Sequence, residues 1–447
     1  MPELLDVAAR IAGLARDHEQ VEAYVAHSRE TSVRVYSGEV ESLSSADSEG
    51  VGIRVIKDHR QGFAYAGSLD PVVIEETLAE ARDNAGFATP DPHVGLAEPD
   101  GVAKATLELW REDLVGVPTA DKVALAIELE ARARGLDARV RQAESADYGD
   151  AMTEVAVASS SGVTGSQRRT GCHVAVFVLA GDGEETQTGG GYSVGRSFTD
   201  LDINEASDDA VERAVRMIGA RKARSARLPV VFDKRVTTSL LGILGGTFSG
   251  EAVLKGRSMF ADRLGQEVAH PSITLVDDPT EPATYAASVQ DAEGLATRRN
   301  VLIDAGVARQ FLYDSYSARR AGARSTGSAV RGGFKSAPGV GCRALCLEPG
   351  DKDMDAILAA IGTGFFVQGI QGIHSGVNPV SGDFSVGAEG LMIRDGQLAE
   401  PVREVTIAST LQRMLLEVLE VGSDLEYLPG TAAGLTLAVD GLSVSGS

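Results

Sequence analysis

The sequence predicts an α+β protein of two domains. Residues 1–225 read as an antiparallel sheet with flanking helices, and residues 226–447 as a glycine-rich, mixed or antiparallel β-rich domain with helices. Three observations carry the prediction. The chain has 447 residues, too many for one ordinary core. Its apolar period changes from helical to two-residue and back to helical within residues 4–85. A basic run, Arg221-Lys222-Ala223-Arg224-Ser225-Ala226-Arg227, interrupts an acidic chain between a helical and a strand-like segment. The run reads as a solvated linker, which places the boundary near residue 225.

Leu4, Val7, Ile11, Leu14 and Ala15 recur at helical spacing. The period then drops to two at Val21, Ala23 and Val25 and again at Val33 and Val35, and Ser37-Gly38-Glu39 supplies a turn before Val40. Val51, Ile53 and Val55 mark another strand, and Asp58-His59-Arg60-Gln61-Gly62 turns into Phe63-Ala64-Tyr65. Asp70-Pro71 starts a helix with a capping carboxylate and a proline at its first position; Ile74, Leu78, Ala81 and Ala85 form its apolar face. Helix, antiparallel strands, helix is an α+β layer, not a doubly wound parallel sheet. Residues 87–101, rich in Pro, Asp and Gly, read as an exposed loop. A helix near 120–134 follows, then strands at 154–159 and 172–179, then a helix near 208–220 with Ser207 as its cap. The second half shows strands at 228–232, 273–276, 301–304, 344–348, 364–367, 384–393 and 435–439, and helices at 357–361 and 405–419.

The net charge is -22, from 42 Lys plus Arg against 64 Asp plus Glu, which disfavours nucleic acid and anionic membranes as partners. No stretch approaches the roughly 18 apolar residues of a membrane span. Met-Pro-Glu-Leu-Leu-Asp lacks a basic region followed by an apolar run, so no secretory signal is expected. Three cysteines, Cys172, Cys342 and Cys346, are too few and odd in number for a disulfide scaffold. A cytoplasmic location is expected.

Familiar catalytic motifs are missing. The seven histidines include no pair at i, i+4 or i, i+5, the spacing that aims two imidazoles at one zinc ion. There is no G-x-S-x-G elbow and no phosphate loop, and Gly189-Gly190-Gly191-Tyr192-Ser193-Val194-Gly195 lacks dinucleotide-binding spacing. Cys342 and Cys346 read as core thiols facing one side of a strand, and Asp277-Asp278-Pro279 as a turn or cap. His374, in Gly369-Ile370-Gln371-Gly372-Ile373-His374-Ser375-Gly376, reads either as a surface imidazole in a tight loop or as part of a ligand cleft.

Several segments, taken in order, resemble the TldD/PmbA (TldD/TldE, modulator of DNA gyrase) metallopeptidase family. They include Glu49-Gly50-Val51-Gly52-Ile53-Arg54-Val55-Ile56, Gln61-Gly62-Phe63-Ala64-Tyr65, and Gly195-Arg196-Ser197-Phe198-Thr199-Asp200-Leu201-Asp202. Val276-Asp277-Asp278-Pro279-Thr280, Asp291-Ala292-Glu293-Gly294, Arg324-Ser325-Thr326-Gly327-Ser328 and Ser381-Gly382-Asp383-Phe384-Ser385-Val386-Gly387-Ala388-Glu389-Gly390 continue the pattern.

The family's TldD-like branch carries H-E-x-x-x-H on a helix and a late cysteine, which together bind the catalytic metal. This chain has Gly250, Glu251 and Lys255 at those positions and no cysteine from Asp424 onward. It therefore resembles the TldE/PmbA-like branch, and residues 226–447 a metallopeptidase-like domain with a degenerate metal site. The resemblance implies no cofactor in this chain, zinc in a TldD-like partner subunit, and unfolded peptides as substrates. Glu251 and Lys255 then either pair across one helical turn or, with His374, line a peptide cleft. An extended peptide could join a sheet edge. Two alternatives stand beside this reading: an autonomous hydrolase with a site around His374 and Asp383, and a homodimeric peptide-binding protein without catalysis.

Overall fold

The computed structural model describes residues 3–446. Its N-terminal half is built on long hairpins. After α1 (Leu4–Ala12), β1 (Glu19–Tyr36), β2 (Glu39–Lys57) and β3 (Arg60–Ala66) run antiparallel. Ser37 and Gly38, and then Asp58 and His59, take positive φ as pairs, the two-residue hairpin geometry that matches strand twist. The α2 helix (Pro71–Phe87) begins as predicted, with Asp70 accepting from the Val72 N–H at 2.8 Å. An extended segment then leads to α3 (Glu112–Val115) and α4 (Thr119–Gly135). Next come β4 (Val140–Ser159), β5 (Thr164–Ala180), β6 (Gln187–Gly195) and α5 (Ile203–Val215). The strands form one antiparallel sheet, ordered β3-β2-β1-β4-β5-β6.

Strand alternation explains how the sheet is used. Odd residues of β1 face the helices: Val21, Ala23 and Val25 pack with α1 and α2, while Val33 and Val35 pack with α4 and α5. Even residues, such as Glu22 and Tyr24, face the C-terminal half. The two alternating patches, Val21 to Val25 and Val33 to Val35, are therefore the ends of one 18-residue strand whose middle is more polar. β4 likewise runs well ahead of the expected 154–159, and the glycine run 189–195 is strand β6. Glycines suit β6 because α5 lies against it so closely that a Cβ at Gly189 or Gly191 would overlap the α5 backbone. Ser207 is not the cap of α5. Asp202 accepts the Asn204 and Glu205 N–H groups, and Ser207, inside the helix, donates to Ile203 O at 2.7 Å.

The C-terminal half opens with β7 (Ala226–Phe232), α6 (Lys234–Thr247) and α7 (Gly250–Leu254). Short elements follow: β8 (Leu275–Asp277), β9 (Asn300–Asp304), β10 (Val307–Ala308), α8 (Ser315–Ala321), β11 (Ala329–Val330), β12 (Gly339–Val340) and β13 (Leu345–Leu347). The chain ends in α9 (Met354–Ile361), β14 (Gly364–Gln371), α10 (Ile373–Gly376), β15 (Asp383–Arg394), β16 (Gln397–Thr410), α11 (Leu411–Leu416), β17 (Val418–Val421) and β18 (Leu437–Ser445). The large sheet runs β16-β15-β14-β7-β18-β17, and an extra β16–β18 pairing closes it into a barrel. Among the described strands of this sheet only β7 and β14 pair in parallel, so the sheet is mixed. Val230 and Phe232 face a core with α6, and Val231 faces another with α9, which is why these strands read as unbroken apolar runs.

The expected helix at 405–419 is corrected: its first part is strand. Val405, Thr406, Ile407 and Thr410 are β-branched, and Val405 and Ile407 are buried in the barrel. The helix begins only after Thr410, whose hydroxyl accepts the Arg413 N–H. The strand around Cys342 is shorter than expected. Cys346 lies in β13, whereas Cys342 precedes it, donating to Gly245 O at 3.3 Å. In the basic run, Arg221 pairs with Glu185 at 2.9 Å, Lys222 pairs with Glu404 at 3.4 Å, and Arg227 donates to Gly441 O.

Candidate functional site

The Gly250–Lys255 segment forms α7 and its C-terminal cap, packed on α6 and α8. Gly250 is buried, and its N–H donates to Leu312 O at 2.7 Å. A Cβ built there would overlap the Tyr313 ring and lie 2.8 Å from Leu312 O, so the backbone fits only glycine without a shift. Glu251 and Lys255 form an exposed i, i+4 ion pair. His374 is exposed on α10, which packs against β15 instead. Asp383, also exposed, accepts from the Ser381 hydroxyl at 2.7 Å. The structure does not bond His374 to Glu251, Lys255 or Asp383, and none of the four lines the cleft between the two halves.

That cleft has a volume of ≈ 1080 Å³. One wall is the sheet face of β1, β4, β5 and β6; the other is made by Tyr285, Arg331, Cys342, Arg343 and residues 429–431. Beneath it lies a buried ion cluster that joins the halves. Glu22 of β1 accepts from Arg54 at 2.6 Å and from Arg331 at 2.7 Å, while Arg54 also reaches Glu293 at 3.3 Å. Burial alone would raise the Glu22 pKa, but Arg54 and Arg331 together hold it below the usual carboxylate value. Glu293 accepts from the Ser315 N–H and hydroxyl.

Three further arginines, Arg169 of β5, Arg196 and Arg343, line the cleft, and no carboxylate among the described residues pairs with them. The Arg169 guanidinium makes no hydrogen bond, that of Arg196 donates to Thr284 O at 2.8 Å, and that of Arg343 to Ala329 O at 3.3 Å. Three nearby acids are occupied with backbone, while Asp150 in the same cleft is paired with Lys122 and Glu30 accepts from the Ser28 hydroxyl. Asp200 accepts the Arg196 and Ser197 N–H groups, Asp277 those of Arg343 and Ala344, and Asp291 those of Glu293, Leu295 and Ala329. Burial, and then the like charge of Arg169, lowers the pKa of both Arg196 and Arg343.

His173 completes the sheet wall. Its ring lies against Gly149, where a Cβ would overlap it, and burial lowers its pKa. Burial also pushes the Cys172 thiol up to about 12 and Cys342 well above the ordinary thiol value, so neither is a ready nucleophile at neutral pH. The β6 edge is engaged by the second half: Val194 O accepts from the Tyr285 hydroxyl and Gly190 O from Arg235, each at 2.6 Å.

Three family profiles match the chain in sequence order. They are PmbA/TldA metallopeptidase domain 1 at residues 21–85, the central domain at 112–218 and the C-terminal domain at 225–446. The metalloprotease PmbA of Escherichia coli O157:H7 is 30% identical over 418 residues, covering 93% of this chain and 90% of that protein. The chain belongs to the PmbA/TldD metallopeptidase family. The Haemophilus influenzae PmbA homologue, also named a metalloprotease, is 26% identical over 92% of this chain and 88% of its own. The crystal structure of TldE from Thermococcus kodakarensis superposes with a TM-score of 0.89 at 25% identity, covering 96% of this chain and 97% of that one.

Neither Gly250 nor Lys255, set against the two histidines by the resemblance, presents a ready metal ligand. Gly250 offers no donor atom, and the Lys255 ammonium is engaged with Glu251. Among the described residues, no group of three or more His, Cys, Asp or Glu side chains is placed to hold an ion.

The cleft arginines escaped the sequence reading, which followed metal-ligand spacing. A signal for them exists. Between Glu154 and Asp182 the chain has no acid, and between Asp314 and Glu348 it has six Lys or Arg and no acid. In so acidic a chain, stretches of unopposed cations mark places where the counter-charge is not supplied locally.

Proposed function

We propose that this chain is the TldE/PmbA-like, non-metal-binding subunit of a TldD/TldE-type metallopeptidase complex that degrades or processes unfolded peptides. The observation that supports the reading is position 250, a buried glycine closed off by Tyr313 and Leu312, which the resemblance sets against the first histidine of the family's catalytic branch. Zinc belongs to the TldD-like partner, where a bound ion supplies an activated water and a polarised scissile carbonyl. This chain's contribution is the cleft between its halves, whose volume of ≈ 1080 Å³ and sheet-face wall suit a short peptide segment. The pairing of Glu251 with Lys255 across an exposed helical turn supports a surface role for both rather than a catalytic one. The complex is placed in the cytoplasm under this proposal. Among the described residues no helix is long and apolar enough to cross a membrane.

The test is to purify the chain alone and with a TldD-like protein bearing an intact H-E-x-x-x-H, then assay an unfolded peptide with and without chelator. Cleavage is expected only for the pair and only without chelator. Robust chelator-sensitive cleavage by the lone chain refutes the proposal. Native mass reads the association directly. A stable homodimer that ignores the TldD-like protein favours a stand-alone peptide-binding protein.

A further inference from the structure

The three arginines in the cleft that lack carboxylate partners ask for an occupant. They come from separate parts of the chain: β5, the loop after β6, and the segment leading into β13. The segments carrying Arg169 and Arg196 are tied together by Thr170, next to Arg169 in β5, whose hydroxyl donates to Arg196 O at 2.8 Å. Arg343 is fixed from the other wall by Asp277, which binds its backbone N–H at 2.8 Å and leaves the guanidinium free of that carboxylate. The Arg169 guanidinium donates to nothing, and the other two guanidinium groups reach only backbone carbonyls. Gathering like charges in a half-buried space is unfavourable unless something negative enters it. The whole protein carries a net charge of -22, so general attraction for anions is not the reason for the cluster.

We infer that Arg169, Arg196 and Arg343 form a carboxylate-binding subsite, which selects peptides carrying an acidic side chain or a free C-terminus. The inference rests on the peptide-cleft reading above and names the chemistry the cleft prefers. A guanidinium fork matches a carboxylate in two parallel hydrogen bonds, and donors already ordered by the walls lose little freedom on binding. The β6 edge, with Gly190 O and Val194 O already bonded, offers fewer backbone sites to a peptide, so side-chain charge carries more of the recognition.

The test uses three short, unstructured, fluorophore-labelled peptides and the isolated chain. One has a free C-terminus and no acidic residue, one is amidated with a central aspartate, and one is amidated and neutral. Fluorescence anisotropy is expected to show at least one carboxylate peptide binding about tenfold or more tightly than the neutral one. The two arms separate a terminal from a side-chain carboxylate. Arg169→Gln and Arg343→Gln should each weaken the carboxylate peptides by about tenfold and leave the neutral peptide unchanged, whereas Arg169→Lys should keep part of the preference. The Arg169 side chain makes no hydrogen bond that the fold relies on, so its variant carries the test even if Arg343→Gln melts early. Equal binding of all three peptides overturns the inference, as does a preference that survives both Gln variants. So does no binding of any peptide by the chain, alone or with the TldD-like protein, or tighter binding of inorganic phosphate than of either carboxylate peptide. Because the readout is binding, a chain that prefers carboxylates yet never pairs with a TldD-like protein removes the subunit proposal and leaves this subsite standing.

Discussion

Replacing Glu22 with glutamine removes one of two negative charges from a buried cluster of two acids and two arginines. Glu22 and Glu293 balance Arg54 and Arg331, and every member has a side chain no more than 5% exposed. The substitution leaves one guanidinium charge uncompensated and weakens two charge-assisted hydrogen bonds, of 2.6 and 2.7 Å. The arginines have no slack to absorb this, because the Nε atoms of both Arg54 and Arg331 are already buried without a partner. Breaking one side of such a pair costs about 3–5 kcal/mol. The sign of the pH dependence follows from the lowered Glu22 pKa. Its stabilising contribution is present above the unfolded carboxylate value, about 4.3, and is lost as pH falls through the folded value. Denaturant unfolding at pH 7 should show the loss, and the variant should lose less than the parent on acidification. The double variant Glu22→Gln/Arg331→Met restores charge balance and should recover part of the deficit. A single-variant cost below about 1 kcal/mol, the range of exposed pairs, refutes the reasoning.

Other substitutions probe the remaining claims. Gly250→Ala should cost about 1–3 kcal/mol, since a Cβ there must displace the Tyr313 ring, and unchanged melting would contradict the packing. Gly250→His combined with Lys255→His should not gain stoichiometric zinc by elemental analysis; tight zinc binding would show that the site needs only its ligands restored. Glu251→Ala breaks an exposed pair and should cost less than about 1 kcal/mol by thermal melting. Burial, and then the neighbouring Glu293, pushes Asp291 up to about 7, so the folded state holds this proton more tightly than the unfolded chain does. The parent should therefore lose stability relative to Asp291→Asn as pH rises from about 4 to about 7, and a gap that fails to widen over that interval rejects this assignment.

Much of the fold was legible where local chemistry decides it. Asp70-Pro71 begins a helix because both side chains act on the first turn, and Ser37-Gly38 turns because both residues accept positive φ. Errors arose where tertiary contacts rule. The polar middle of β1 breaks the alternation expected of a strand, since its odd positions there, His27, Arg29 and Thr31, are polar and belong to neither helix-side core. The stretch from Val405 to Thr410 carries strand-forming side chains, but the apolar run of α11 behind it drew the helical reading backwards. At residues 250–255 the absence of histidine was visible in the sequence itself. The arginine subsite was not, because its members lie far apart in the chain and only folding brings them together.

Closure of the C-terminal barrel depends on residues 437–445, which bond to β7 on one side and β16 on the other. Until the ribosome has released that stretch, both neighbours present unpaired hydrogen-bonding rims, a template for association with other nascent chains. Synthesis of this half thus passes through a vulnerable interval that ends only with its final strand, and a premature stop shortly before residue 437 should yield aggregates rather than a smaller soluble domain.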